Sequence, residues 1–378
     1  MKKYIGYIFL CVIILACSKT TPSSGSENDI NRLRSLYSSD QKNWPKPIVH
    51  DSVINFQDIG ILPPPTFPKD NPYSEAKKKL GKTLFFDPRL SKSGQIACAS
   101  CHNPELAWTD NSRRSFGHNR QTGKRNAMTI LNIGHATSLF WDGRAKTLEE
   151  QISFPIEDPL EMNQSIEIAV DTISKIKGYE SLFKAAFGDK QVTKERIQKA
   201  IATFERTVKS RKSRFDRFIE GDSKQLTDSE IRGLHIFRTK ANCIDCHNSP
   251  YFSDNQFHND GQTLFASKHE DLGLYEVTKN PKDVGKFRTP TLRDISHTGP
   301  WMHHGNFPTL RDVILLYNLG NPQPKPKSYK GDRDSIYPKP SLLLKKLNLT
   351  EQEILDLEHF LKSLGTPPQR TIIPKLPQ

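Results

Sequence analysis

The stretch CASCH (98–102) returns as CIDCH (243–247), and the whole chain of 378 residues holds only six cysteines. Each stretch is Cys-x-x-Cys-His, the pattern that attaches a c-type haem. The two thiols add to the porphyrin vinyl groups, and the adjacent histidine ligates the iron from one side. Cys98, Cys101 and His102 therefore form one attachment site, and Cys243, Cys246 and His247 a second. A zinc site built from the four cysteines would leave His102 and His247 without a role. A thioredoxin-like redox pair would need a strand before it and a helix after it. The pattern predicts two covalently bound haem c groups.

The first residues, MKKYIGYIFLCVIILAC, have the layout of an export signal: two lysines, then an apolar run too short to span a bilayer comfortably. Ile14-Leu15-Ala16-Cys17 resembles the end of a bacterial lipoprotein signal, which would leave Cys17 as a lipidated N-terminus. An ordinary signal with a chance cysteine is the alternative. The following SKTTPSSGSEND is rich in Ser, Thr and Gly and suits a flexible tether. Acylation would hold the chain at a membrane surface on the periplasmic side without a spanning helix. The cysteines are then fully used: Cys11 leaves with the signal, Cys17 takes the lipid, and four bind haem.

Four blocks repeat in the same order around the two motifs. LGKTLFF (80–86) parallels RGLHIF (232–237), and CHNPELAWTDN parallels CHNSPYFSDN. GKRNAMTILNIGHATSLFWDGR (123–144) parallels GKFRTPTLRDISHTGPWMHHGN (285–306), and TLEEQI (147–152) parallels TLRDVI (309–314). Apolar residues at Ile197, Ala200, Ile201, Phe204, Val208 and Phe215 predict one long helix between the halves. Thr227 to Glu230 reads as a capping box, and 349–365 as a capped amphipathic helix ending at Gly365. Strand signals are few. The expected fold is mainly α, with two cytochrome c-like domains related by internal duplication. The expected organisation is a signal over 1–17, a tether over 18–45, an N-terminal haem domain over 46–220 and a C-terminal one over 221–378. The Pro/Lys-rich stretch 321–340 reads as a surface loop over the second haem.

Two such domains with FWDGRAKTLEEQ between them resemble the bacterial dihaem cytochrome c peroxidases and their MauG-type relatives, from about Ser74 to Leu364. The resemblance implies that the N-terminal haem reduces hydrogen peroxide and the C-terminal haem passes electrons to it. It implies His102 and His247 as proximal iron ligands and His118 as a removable distal ligand on the N-terminal haem. Gln151 and Glu161 match the family's distal pair, and Trp141 matches its tryptophan between the haems. Asn126, with the backbone carbonyls of Thr298 and Pro300, matches a calcium site. Where the peroxidases place a distal methionine on the second haem, this chain has Tyr317, as MauG-type enzymes do. An iron ligated by Met302, His303 or His304 is the alternative there.

The chemistry of the distal pair can be stated without the family. Peroxide must lose a proton from its inner oxygen and gain one on its outer oxygen before the O–O bond breaks. A desolvated carboxylate such as Glu161, its pKa raised by burial, can shuttle that proton. The Gln151 amide can orient peroxide without titrating. The expected function is a dihaem c peroxidase drawing electrons from a small cytochrome or cupredoxin. The competitors are a MauG-type oxidase acting on a protein or organic substrate, and a dihaem electron-transfer subunit, against which Glu161 and Gln151 argue. The formal charge of +13 carries no nucleic-acid motif with it; it could steer an acidic donor or favour an anionic membrane face. Oligomeric state is open, with a homodimer among the options.

Overall fold

The computed structural model describes residues 24–327 and 329–378. The expected signal, the lipidation residue Cys17 and the first part of the expected tether lie outside the described residues. The chain is mainly helical, with one two-stranded antiparallel ladder, Phe257–Asn259 against Lys286–Arg288. Among the described residues, no helix is long and apolar enough to cross a membrane.

Two hydrophobic clusters organise the molecule, each built on a crossing of two helices. In the first, helix Glu75–Phe85 crosses helix Lys194–Arg206 and buries Leu80, Leu84 and Phe85 against Ile197, Ile201 and Phe204. In the second, helix Asp228–Arg238 crosses helix Glu351–Ser363, burying Ile231, Leu234 and Phe237 against Ile354, Leu357 and Phe360. Each such side chain contributes roughly 1.5–3 kcal/mol by leaving water. All four helices start at a hydroxyl cap: Ser74, Thr193, Thr227 and Thr350, the last two in full capping boxes.

Both crossings depend on one glycine. A Cβ on Gly81 would overlap the Ala200 carbonyl, and a Cβ on Gly233 would overlap the Asp356 carbonyl. The obstacle is backbone in each case, so no rotamer change relieves it. Replacing Gly81 with Ala is expected to cost about 1–3 kcal/mol, despite alanine's better helix propensity. A chemical-denaturation midpoint equal to or above that of the parent would contradict this.

Three expectations from sequence are corrected. The helix predicted to run on through Phe215 ends at Arg206, and a separate helix, Arg214–Ile219, begins at the Ser213 capping box. The intervening Lys-Ser-Arg-Lys run has no apolar residue to bury, so nothing favours continuing the coil. The tether expected over 18–45 is helical from Ser24 to Tyr37, with Ile30, Tyr37 and Trp44 in the second core. Ile59, Phe215 and Phe218 join that core as well, so both ends of the expected 46–220 domain pack with the C-terminal unit. Arg238 fastens this belt, pairing with Asp58, donating 2.6 Å to the Pro45 carbonyl, and lying over the Trp44 ring. Finally, none of the described residues of the 321–340 loop lines the second cavity. Its Tyr329 and Tyr337 pack on Phe265, and Leu343, Leu344 and Leu347 line the cavity instead.

Candidate active site

Each Cys-x-x-Cys-His segment is held the same way. The His102 ring has Nδ1 3.1 Å from the Trp108 carbonyl, and the His247 ring has Nδ1 3.1 Å from the Phe252 carbonyl. Trp108 and Phe252 reach back by adopting left-handed backbone, with φ of 60° and 56°. A carbonyl can only accept, so Nδ1 keeps the proton and Nε2 is left as a ligand. Burial pushes the neighbouring thiols up, Cys101 to about 11 and Cys243 to about 12. No disulfide joins them.

The two segments open into two different cavities. The first, of about 540 Å³, is lined by Cys98, Cys101 and His102 and by Gln151, Glu161 and Arg144. The second, of about 200 Å³, is lined by Cys243, Cys246 and His247 with Met302 and Tyr317. This separation removes the four-cysteine zinc alternative, because the two pairs face different spaces. Cys246, Asp254 and His258 do come within ligand range of one another, but His258 is already bound to Asp254 at 2.8 Å. Paired thiols and a free imidazole nitrogen at each cavity fit a covalently attached haem in each.

Glu161 sits where the chain turns after helix Ser153–Glu157. Its carboxyl is pushed up to about 7, first by burial and then by the Asp158 carboxylate, with the Arg144 guanidinium opposing. Gln151, at the end of helix Leu148–Gln151, lines the same cavity. Sequence reasoning did not single out Arg144. Its guanidinium lies 3.5 Å from the Phe140 ring centre and 3.1 Å from Asp142, fixed beside Glu161. Glu205 was also missed. It is buried, lines the first cavity, and has Oε2 without a partner. Burial pushes its carboxyl up to about 8.

His118, which the resemblance implied as a distal ligand, lies next to the cavity wall. Gly117 lines the cavity and His118 does not, and His118 Nδ1 is buried without a partner. The main chain explains this. His118 N–H donates to the Glu161 carbonyl at 2.7 Å, and a Cβ on Gly117 would overlap the Leu160 carbonyl. The loop is therefore seated flush on the Glu161 turn.

Trp141 lines both cavities, with its indole N–H donating to the Asn126 carbonyl at 2.9 Å. Asn126 also lines both, and its amide nitrogen donates to the Ser112 carbonyl at 2.9 Å, turning Oδ1 away from that bond. Thr298 and Pro300 line the second cavity with it. Tyr317 comes from helix Leu310–Asn318. Its phenol is raised by burial and by the nearby Asp260. Met302 shares the cavity lining, whereas His303 and His304 do not; His303 stacks on Phe287 at 3.6 Å.

Comparison with known proteins identifies the family. The family model for di-haem cytochrome c peroxidase matches residues 75–224. The chain is 37% identical over 336 residues to the cytochrome-c peroxidase IdrP1 of Pseudomonas sp. (strain SCT), covering 81% of this chain and 85% of that one. It is 39% identical over 317 residues to the methylamine utilization protein MauG of Methylophilus methylotrophus, covering 82% and 89%. The crystal structure of a MauG-like protein associated with microbial copper homeostasis matches with a TM-score of 0.71 at 34% identity, covering 84% of this chain and 96% of that one. Relatives this similar over most of its length establish that the chain belongs to the di-haem cytochrome c peroxidase and MauG family of oxidoreductases.

Proposed function

We propose that this protein is a dihaem c peroxidase that reduces hydrogen peroxide to water with electrons from a small cytochrome or cupredoxin. The observation that carries the reading is the first cavity. It sets the free nitrogen of a haem-attachment histidine, a carboxyl titrating near neutrality and an untitrated amide around one space. A non-catalytic electron carrier has no use for such a pair. The N-terminal haem, when bound, supplies the iron that takes up peroxide and delivers electrons to it. Glu161 then accepts the proton from the inner peroxide oxygen and returns it to the outer one, so that water is the leaving group. Gln151 holds the peroxide in line. Arg144 keeps part of the Glu161 population ionised at neutral pH. Trp141 puts one aromatic ring in the wall common to both cavities, where electrons pass between the centres.

The Asn126 Oδ1 atom and the Thr298 and Pro300 carbonyls offer hard oxygen ligands that suit one calcium ion at the junction. The lipoprotein-like signal and Cys17 support a membrane-anchored protein facing the periplasm.

Stopped-flow oxidation of a reduced small cytochrome c by peroxide, with haem-loaded protein and calcium, tests the reading. Rapid turnover is the expected result. A long-lived oxidised protein that leaves the cytochrome untouched would instead indicate the MauG-type oxidase. One observation favours that second reading, the presence of Tyr317 in the second cavity. His118 supplies a further prediction. Because its ring is outside the cavity lining, His118→Ala is expected to leave the reaction of the fully oxidised protein with peroxide unchanged. A large acceleration in the variant would mean that the imidazole blocks the site at rest.

A further inference from the structure

Among the described residues four arginines are buried, and three of them have carboxylate partners. Arg206 meets Glu149 at 2.6 Å, Arg238 meets Asp58, and Arg293 meets Asp216 at 3.0 Å. Arg288 is the exception. It is 2% exposed, and among the described residues no carboxylate reaches it. Its contacts are long: Nε to the Phe140 carbonyl at 3.4 Å, Nη1 to the Thr289 carbonyl at 3.5 Å, and Nη2 to Met128 Sδ at 3.4 Å. The two oxygen contacts lie beyond the usual N–H···O range, and the third is to a weakly accepting thioether. The Tyr251 hydroxyl is beside it, but burial holds that phenol neutral, so it does not balance the charge. A buried cation without an anion is strongly unfavourable, and folded proteins pair such groups.

The position of Arg288 says where the anion would come from. The residues common to both cavity linings are Asn126, Ala127, Met128, Thr129, Trp141 and Arg288, and Arg288 is the only charged one. It is also the counterpart of Asn126, the fourth residue of GKRN as Arg288 is of GKFR. The two backbones exchange matching bonds across the junction. Asn126 N–H donates to the His303 carbonyl and Arg288 N–H to the Trp141 carbonyl, each at 2.8 Å. Trp141 and His303 are themselves counterparts in FWDG and MHHG. One junction position thus presents an oxygen donor and its mate a guanidinium.

We propose that Arg288 is a shared anchor for the propionates of both haems, binding one carboxylate from each. The inference rests on the reading of two haem c groups in these cavities. It adds a cation that links them through the same wall that carries Trp141. A planar guanidinium with five N–H donors suits two carboxylates approaching from different sides. By its charge, Arg288 also raises the potential of each haem, since the oxidised form is the more positive one. It is a positioning residue and takes no part in breaking peroxide.

The test begins with the haem content of the parent protein by pyridine haemochrome. Anything other than two haems per chain would overturn the underlying reading, independently of Arg288. Redox titration of Arg288→Gln and Arg288→Lys follows. The glutamine variant is expected to lower both midpoint potentials, and the lysine variant to recover part of each. A fall in only one potential, or in neither, overturns the shared anchor. If the glutamine variant fails to load haem, resonance Raman spectra of the parent and the lysine variant decide. The propionate bending bands of both haems are expected to move when a forked donor becomes a single ammonium. Bands that stay in place overturn the proposal.

Discussion

Replacing Glu161 with Gln is expected to lower the rate constant for reaction with peroxide by about 10²–10⁴, the usual contribution of a positioned proton-transfer group. The substitution is nearly isosteric, and the turn that carries Glu161 is held by its own backbone. Glu161 N–H donates to the Asp158 carbonyl, and its carbonyl accepts from His118. Both haems should therefore remain attached, with their visible spectra little changed. The pH dependence identifies the role. As a base, Glu161 must be ionised, and its carboxyl is pushed up to about 7 by burial and by Asp158. In the parent protein the peroxide rate constant should rise with pH through about 7 and level off above it. Below that point it should fall about tenfold per pH unit. The glutamine variant should be slow and flat across the same range. Arg144→Gln removes the one positive neighbour that lowers the Glu161 pKa, so it should move the inflection to higher pH. Stopped-flow rates for the three proteins check this; an unchanged rate in the glutamine variant would take Glu161 out of the mechanism.

The haem-attachment residues were legible because Cys-x-x-Cys-His is a short contiguous pattern whose spacing reflects its chemistry, whereas Glu161 and Gln151 entered only through the family resemblance. The helices that carry Gly81 and Gly233 were legible as helix-like segments, the second with its capping box, and 349–365 as an amphipathic helix, but their pairing was not. Arg144 and Arg288 were not. An arginine in FWDGR or GKFR looks like any other charged residue until the fold shows what surrounds it. Glu205 lies in a helix that was anticipated though carried too far, yet a carboxyl turned inward at the cavity leaves no local mark. The belt of residues 24–59 escaped notice because its partners, Arg238 and the second core, lie far along the chain. Ser/Gly-rich composition suggested a tether, but Ile30, Tyr37 and Trp44 provide enough apolar surface to dock it. Burial and long-range pairing are properties of the folded chain, and single-sequence patterns carry little of either.

Tyr317 decides between the two activities that the family contains, and its replacement by Phe should have the second large effect. The residue lies in the last turn of helix Leu310–Asn318 and faces the cavity that holds His247. A phenolate ligand is anionic and stabilises oxidised iron, which keeps that centre at low potential. Removing the oxygen while keeping the ring should raise the potential of one haem on the order of 100 mV or more, given the span that axial ligands command. The other haem should be unaffected. The low-spin spectrum should change for one centre only. Met302 lines the same cavity and is the alternative ligand; an unchanged spectrum in Tyr317→Phe, with a changed one in Met302→Leu, would assign the bond to sulfur. The consequence for activity follows from the potential. A small cytochrome reduces a high-potential acceptor readily and a low-potential one poorly. If Tyr317 is the ligand, the Phe variant should accept electrons from a reduced cytochrome faster than the parent does. If the parent already turns over rapidly with that donor and the variant gains nothing, the second haem is tuned as in a peroxidase.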